Sequence, residues 1–117
     1  MKATTYSLLL AVLILITACL GPASMREPGY ASGFYEGSGR GLRGAINVRL
    51  EVSNGEIVDI EILEHRESAF PGLAAMEELL ELVLETGSTD LDAISGASYS
   101  SRGFLEAVED ALEKAGS

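Results

Sequence analysis

The clearest regularity in the chain is the alternation of Ile46-Asn47-Val48-Arg49-Leu50-Glu51-Val52, apolar at every second position. Side chains on a strand point in turn to the two faces of a sheet, so this pattern predicts a half-buried strand. Val58-Asp59-Ile60-Glu61-Ile62 repeats it, and Ser53-Asn54-Gly55 between them marks a hairpin. A two-residue Asn-Gly turn would set Leu50 opposite Asp59 and mix the faces. A three-residue loop pairs Val52 with Glu56, Leu50 with Val58, Val48 with Ile60 and Ile46 with Ile62. It also puts Gly55 where a left-handed residue is needed, so the three-residue loop is expected. Upstream, Gly33-Phe34-Tyr35-Glu36-Gly37-Ser38-Gly39-Arg40-Gly41 predicts a first strand bulged or sharply bent by glycine. It is not a dinucleotide fingerprint, because the third glycine position falls on Leu42 and no strand–turn–helix follows.

The period then changes from two to that of a helix. Over Pro71–Glu85, Leu73, Met76, Leu80 and Val83 form one stripe while Glu77, Glu78, Glu81 and Glu85 face water. Gly87 is placed to end this helix. A second helix is expected from about Ser101 to Lys114, with Phe104, Val108, Leu112 and Ala115 buried and Glu109, Asp110 and Glu113 outward. Strands followed by two helices give an α+β fold: a small antiparallel sheet with two packed helices in a single domain.

The chain's 117 residues leave room for one domain at most, and the first segment stands apart from it. Leu8–Ile16 is an apolar run too short to span a bilayer comfortably, with the shape of a signal-peptide h-region. It ends in Ile16-Thr17-Ala18-Cys19, which resembles the lipobox of bacterial lipoproteins. That resemblance makes residues 1–18 a lipoprotein signal peptide and Cys19 the lipid-bearing residue of the mature chain. Cys19 is the only cysteine, so no disulfide forms within one chain, and lipidation accounts for the thiol. Residues 19–28, with two prolines, a glycine and a serine, read as a tether, and 29–117 as the folded domain.

Charge narrows the function further. Loss of residues 1–18 removes Lys2, leaving seven Lys+Arg against eighteen Asp+Glu and a net charge of −11. Such a domain repels nucleic acid and anionic membrane surfaces, and no nucleic-acid partner is expected.

The stretch Asp92-Ala93-Ile94-Ser95-Gly96-Ala97-Ser98-Tyr99-Ser100-Ser101 carries the candidate chemistry. A nucleophile elbow reads GxSxG, whereas Gly96–Ser100 reads GxSxS, and the only histidine, His65, precedes the serines. His65 reads as a partly exposed residue at a strand end. One histidine and scattered carboxylates give no metal-ligand spacing, so no metal and no catalytic residue is assigned. A capping role explains one serine, but not Asp92, Ser95 and Gly96-Ala97 as well. A helix N-terminus also offers unpaired amides and the positive end of a dipole, with Arg102 adding charge in its first turn. The residues thus point to a phosphate-bearing ligand.

Asp92-x-x-Ser95-Gly96-Ala97-Ser98 resembles the Asp-x-x-(Ser/Thr)-Gly-Ala-Thr flavinylation motif of the FMN-binding domain family. That family includes flavin-bearing subunits of the sodium-pumping NADH:quinone oxidoreductase and of the Rnf complex. The likeness extends to Gly33-Phe34-Tyr35-Glu36-Gly37, Asn54-Gly55-Glu56-Ile57-Val58, His65-Arg66-Glu67-Ser68, Ser100-Ser101 and Ala107–Leu112, covering nearly all of residues 33–113. It implies FMN as the cofactor, linked through its phosphate to Ser98 by a Mg2+-dependent FAD:protein FMN transferase. This chain has serine where the family's usual acceptor is threonine; either hydroxyl can form a phosphoester. The same resemblance places Ser95, Gly96, Ala97, Ser100 and Ser101 around the phosphate, with Asp92 shaping the loop. Glu67 and Ser68 approach the isoalloxazine, and Leu73 and the glycines near Gly37 are candidates for its walls.

The expected protein is a lipid-anchored flavoprotein on the extracytoplasmic face of a bacterial cell membrane. It relays electrons to or from membrane redox partners as a carrier rather than a stand-alone enzyme. The alternative is a lipid-anchored binding module that holds FMN noncovalently or has no redox role.

Overall fold

Three strands, β1 (Gly33–Arg40), β2 (Ala45–Ser53) and β3 (Glu56–Glu64), form one antiparallel sheet in that order in a computed structural model. It describes residues 29–116; the expected signal segment, Cys19 and the tether lie outside the described residues. A wound turn, Ala69–Leu73, leads into α1 (Ala74–Thr86), and residues 87–97 return the chain to the start of α2 (Ser98–Gly116). The fold is α+β, with both helices packed on one face of the small sheet.

Alternation selects that face. Ile46, Val48 and Leu50 of β2 are fully buried, and they join Met76, Leu79 and Val83 of α1 and Phe104 and Val108 of α2 in one core. The polar positions between them, Asn47, Arg49 and Glu51, lie on the other face, where Arg49 pairs with Glu61 at 2.6 Å.

The elements give the molecule two poles. The β1–β2 turn, the end of β3 and the starts of both helices share one pole. The Asn54-Gly55 turn and the helix C-termini share the other, where Tyr30 bridges to Gly55 and the chain enters the domain. The nineteen residues of α2 separate the poles by about 28 Å at about 1.5 Å per residue.

The hairpin register differs from expectation. Ser53 pairs with Glu56, so the turn is the two-residue Asn54-Gly55, and Leu50 pairs with Ile60 rather than Val58. The ladder passes from Val52–Ile57 to Glu51–Asp59 and leaves Val58 as the extra residue of a bulge. One inserted residue flips every later side chain to the other face. The bulge therefore keeps the apolar faces together with a short turn, and Val58 is 48% exposed. A second irregularity at Leu63 separates Val48–Ile62 from Asn47–Glu64.

β1 is neither bulged nor sharply bent: it pairs with β2 without a shift from Gly33–Val52 to Arg40–Ala45. Its glycines serve close packing instead. A Cβ on Gly37 would lie 2.0 Å from the Ala107 carbonyl oxygen, and one on Gly39 would lie 2.0 Å from that of Gly103. Backbone therefore packs directly on backbone. α2 also covers the free edge of β1: Ser38 N–H donates to Asp110 Oδ2 (3.0 Å) and Lys114 Nζ donates to the Glu36 carbonyl (2.6 Å), a protection that open strand edges need.

Both helices start elsewhere than periodicity places them. α1 begins at Ala74 because Ser68 Oγ accepts the Gly72 N–H and holds residues 69–73 in the separate turn. Its buried face is Ala75, Met76, Leu79 and Val83, with Leu73 and Leu80 half-buried, and Gly87 ends it as expected, its N–H donating to Val83. α2 begins at Ser98, three residues early.

Leu50→Ala should cost about 2–5 kcal/mol of stability in denaturant unfolding, the range for truncating a buried leucine. Val58→Ala should change it by less than about 0.5 kcal/mol, as for an exposed position. Equal losses at the two sites would contradict the bulge.

Candidate functional site

Asp92–Ser101 lies at the pole where both helices start. The Ala97 N–H donates to the Ile94 carbonyl at 3.0 Å, closing a tight turn in which Gly96 has a φ of 85°. That left-handed conformation favours glycine, so this turn needs Gly96 where it stands. Ser98 opens the helix directly afterwards, and the first helical bond at this end runs from Ser101 N–H to the Ala97 carbonyl. The amides of Ser98, Tyr99 and Ser100 precede it and project from the positive end of α2.

The four hydroxyls meet different fates. Ser101 is fully buried; its Oγ donates to the Ala97 carbonyl at 2.7 Å and accepts the Ile94 N–H at 3.0 Å, locking the turn to the helix. Ser100 is buried too, and its Oγ donates to Glu67 Oε1 at 2.5 Å. Neither caps the helix from outside. Ser95 and Ser98 are exposed, and of these only Ser98 lines the adjacent cleft. Among Ser95, Ser98, Ser100 and Ser101, Ser98 alone lines the cleft with its hydroxyl uncommitted.

That cleft, about 390 Å³, is walled by the β1–β2 turn (Leu42, Arg43), the segment from Glu67 to Gly72, and residues Gly96–Ser100. Three large apolar side chains stand exposed around it: Leu42 at 65%, Phe70 at 81% and Tyr99 at 64%. Exposed apolar groups converging on one concavity mark a binding surface better than scattered ones do. A wider groove along α2, lined by Glu106, Glu109, Asp110 and Glu113, has the wrong charge for a phosphate.

Glu67 organises the cleft. Only 7% exposed, it accepts the Leu42 N–H at Oε1 (2.9 Å) and the Arg43 N–H at Oε2 (3.0 Å), besides the Ser100 hydroxyl. Its own N–H donates to His65 Nδ1 at 3.1 Å. Burial alone would raise the Glu67 pKa. The bonds from Ser100, Arg43 and Leu42, with His65 nearby, outweigh burial and hold it below its ordinary value of 4.5.

The cleft thus gathers Ser98, Gly96, Ala97, Ser100, Glu67 and Ser68 from the expected site residues. It does not include Asp92 or Ser95, which are exposed outside its wall, or Ser101, which lies behind it. Leu73 packs against the core, Gly37 packs against α2, and Arg102 is exposed away from the lining. Leu42, Arg43, Phe70, Pro71, Gly72 and Tyr99 were not singled out from sequence. An aromatic beside proline and another beside the serine cluster were the available signals, and neither has a periodicity to distinguish it from a core residue.

Residues 41–113 match the FMN-binding domain family. The chain is 33% identical over 87 residues to an NADH:acrylate oxidoreductase of Vibrio harveyi, covering 74% of this chain and 9% of that protein. It is 32% identical over 82 residues to a urocanate reductase of Eggerthella lenta, covering 70% of this chain and 14% of that protein. An uncharacterized protein of Treponema pallidum is 29% identical over 93 residues, covering 80% of this chain and 24% of that protein. The chain therefore spans less than a quarter of the length of these curated relatives.

Glu67→Gln should lower stability by about 1–3 kcal/mol near neutral pH, because an amide cannot accept all three donors. The folded-state pKa of Glu67 is depressed, so its contribution is present above the ordinary value of 4.5 and is lost as pH falls through the lower folded-state value. Unfolding midpoints measured across that acidic range should converge for wild type and variant. A constant difference down to the lowest pH would contradict the ionised hub.

Proposed function

The chain belongs to the FMN-binding domain family, with FMN as its cofactor, and we propose that the cofactor sits in this cleft on a phosphoester to Ser98. The observation that carries the proposal is the uncommitted hydroxyl of Ser98, which stands beside the unpaired amides of α2. Those amides and the helix dipole suit phosphate oxygens. Leu42, Phe70 and Tyr99 offer apolar surface to a flat ring system, and Arg43 is the one cation on the wall. Glu67 acts indirectly, fixing the β1–β2 turn against α2 so that the walls keep their separation.

Attachment is a phosphoryl-type transfer from FAD by an FAD:protein FMN transferase. The Ser98 oxygen bonds to the phosphorus nearer riboflavin, the pyrophosphate P–O bond breaks, AMP leaves with the bridging oxygen, and the serine proton passes to solvent or AMP. Bound FMN supplies reversible electron and hydride chemistry, while the protein supplies position and environment. Two relatives named as an oxidoreductase and a reductase support a redox role for the module. In this reading the protein is an electron carrier held on the extracytoplasmic face of a bacterial membrane through lipid on Cys19. A covalent tether keeps the cofactor at high effective concentration.

Coexpressed with a matching transferase, the wild type should gain the mass of one FMN less a water and stay yellow after denaturation. Ser98→Ala should lose the adduct with an unchanged unfolding transition, and Ser98→Thr should keep it. Colour lost on denaturation would mean noncovalent FMN. A wild type that never colours would sink the assignment of the cleft.

Cys19→Ser should abolish radiolabelled fatty-acid incorporation and leave precursor or shed soluble protein. Unchanged processing and membrane retention in that variant would contradict the anchor.

A further inference from the structure

Arg43 is the one cation that lines the cleft, and no contact within the protein accounts for its side chain. Among the described residues the ion pairs are Arg49–Glu61 and Lys114–Asp110, and Arg43 is bonded through its main chain alone. That main chain is fixed. The Leu42 and Arg43 amides share the Glu67 carboxylate, which also takes the Ser100 hydroxyl of α2. An apolar and a cationic side chain are therefore held next to each other on one wall, with Glu67 between them and the start of α2. Arg43 is exposed, whereas Glu67, the other charge on the wall, is buried and spends its oxygens on these three donors.

Arginine suits a phosphate well, but a phosphate on Ser98 has donors of its own. Joined to both the serine and the ribityl chain, it keeps two non-bridging oxygens and one negative charge. The free amides of Ser98, Tyr99 and Ser100 at the positive end of α2 outnumber those oxygens. Arg43 is left for the rest of the cofactor, and a ring resting on Leu42 has the neighbouring guanidinium at its edge. Resting on the proposed flavin site, we infer that Arg43 tunes the redox balance: its guanidinium faces the isoalloxazine and favours the reduced ring over the oxidised one. The effect is differential. The oxidised ring is neutral, whereas two electrons and one proton leave the reduced ring with one negative charge in mildly alkaline solution. A cation beside the ring therefore stabilises the reduced state alone. Glu67 has the opposite sign, but its charge is set against three donors and is the same in both states. A change at Arg43 thus isolates the arginine's part.

The test compares the full chain, Arg43→Gln and Arg43→Lys, each loaded by the transferase and titrated in mildly alkaline buffer against redox dyes. Dithionite supplies the two electrons and solvent the proton. At a fixed potential Arg43→Gln should hold about tenfold less reduced flavin relative to oxidised, a midpoint lower by about 30 mV. Arg43→Lys should keep most of the wild-type value, and added salt should narrow the gap, because the arginine is exposed. Flavin-free wild type and Arg43→Gln should unfold alike, since Glu67 is bonded to the Arg43 amide and not to its side chain. An unchanged midpoint in Arg43→Gln overturns the inference and makes Arg43 a solvated surface cation. Slower loading with an unchanged midpoint also overturns it, since the arginine then serves attachment. A shifted midpoint in an Arg43→Gln chain that is destabilised without flavin makes the residue structural and overturns it as well. A wild type that takes up no flavin overturns the proposed function, whereas a loaded protein whose potential ignores Arg43 overturns this inference alone.

Discussion

A single buried carboxylate holds the cleft together. Glu67 comes from the segment after β3, yet its oxygens take two amides of the β1–β2 turn and a hydroxyl of α2. Burying a charge is costly unless hydrogen bonds replace the lost water, and three donors do so here. The consequence reaches the serine cluster. Ser100 is consumed by Glu67 and Ser101 by the Ile94–Ala97 turn, which leaves Ser98 as the free serine hydroxyl on the cleft side of the helix.

The sheet and helix bring these parts within reach of one another by close packing. Gly37 and Gly39 let β1 lie against the backbone of α2, so the end of β1 and the start of α2 meet at one pole. Asp110 and Lys114 satisfy the outer edge of the same strand.

Much of the fold was legible from local pattern. Alternation over Ile46–Val52 and the stripe of α1 gave the α+β class and the main core residues, because burial of one face leaves a period that sequence records. The Val58 bulge left no such trace. Both loop lengths give a plausible hairpin on paper, and only packing against the helices selects a short turn with one extruded residue. The glycines of β1 look like bends in the sequence alone, which does not reveal that a helix backbone lies 2.0 Å from an added Cβ. In the site, the Gly96 turn and Ser98 were legible through a motif, but the division of labour among the serines depends on Glu67, over thirty residues away. Phe70 and Tyr99 were missed for the same reason: their convergence is a tertiary fact.

The proposed function puts the cofactor on Ser98, the one serine hydroxyl of the cleft left uncommitted. Peptide fragmentation mass spectrometry of the flavin-loaded protein tests it most directly, since trypsin releases Glu67–Arg102 as one peptide containing every candidate serine of the cluster. The FMN mass should appear on that peptide, with fragment ions placing it on Ser98. Fragment ions placing it on Ser95, Ser100 or Ser101, or an unmodified peptide from yellow protein, would contradict the claim.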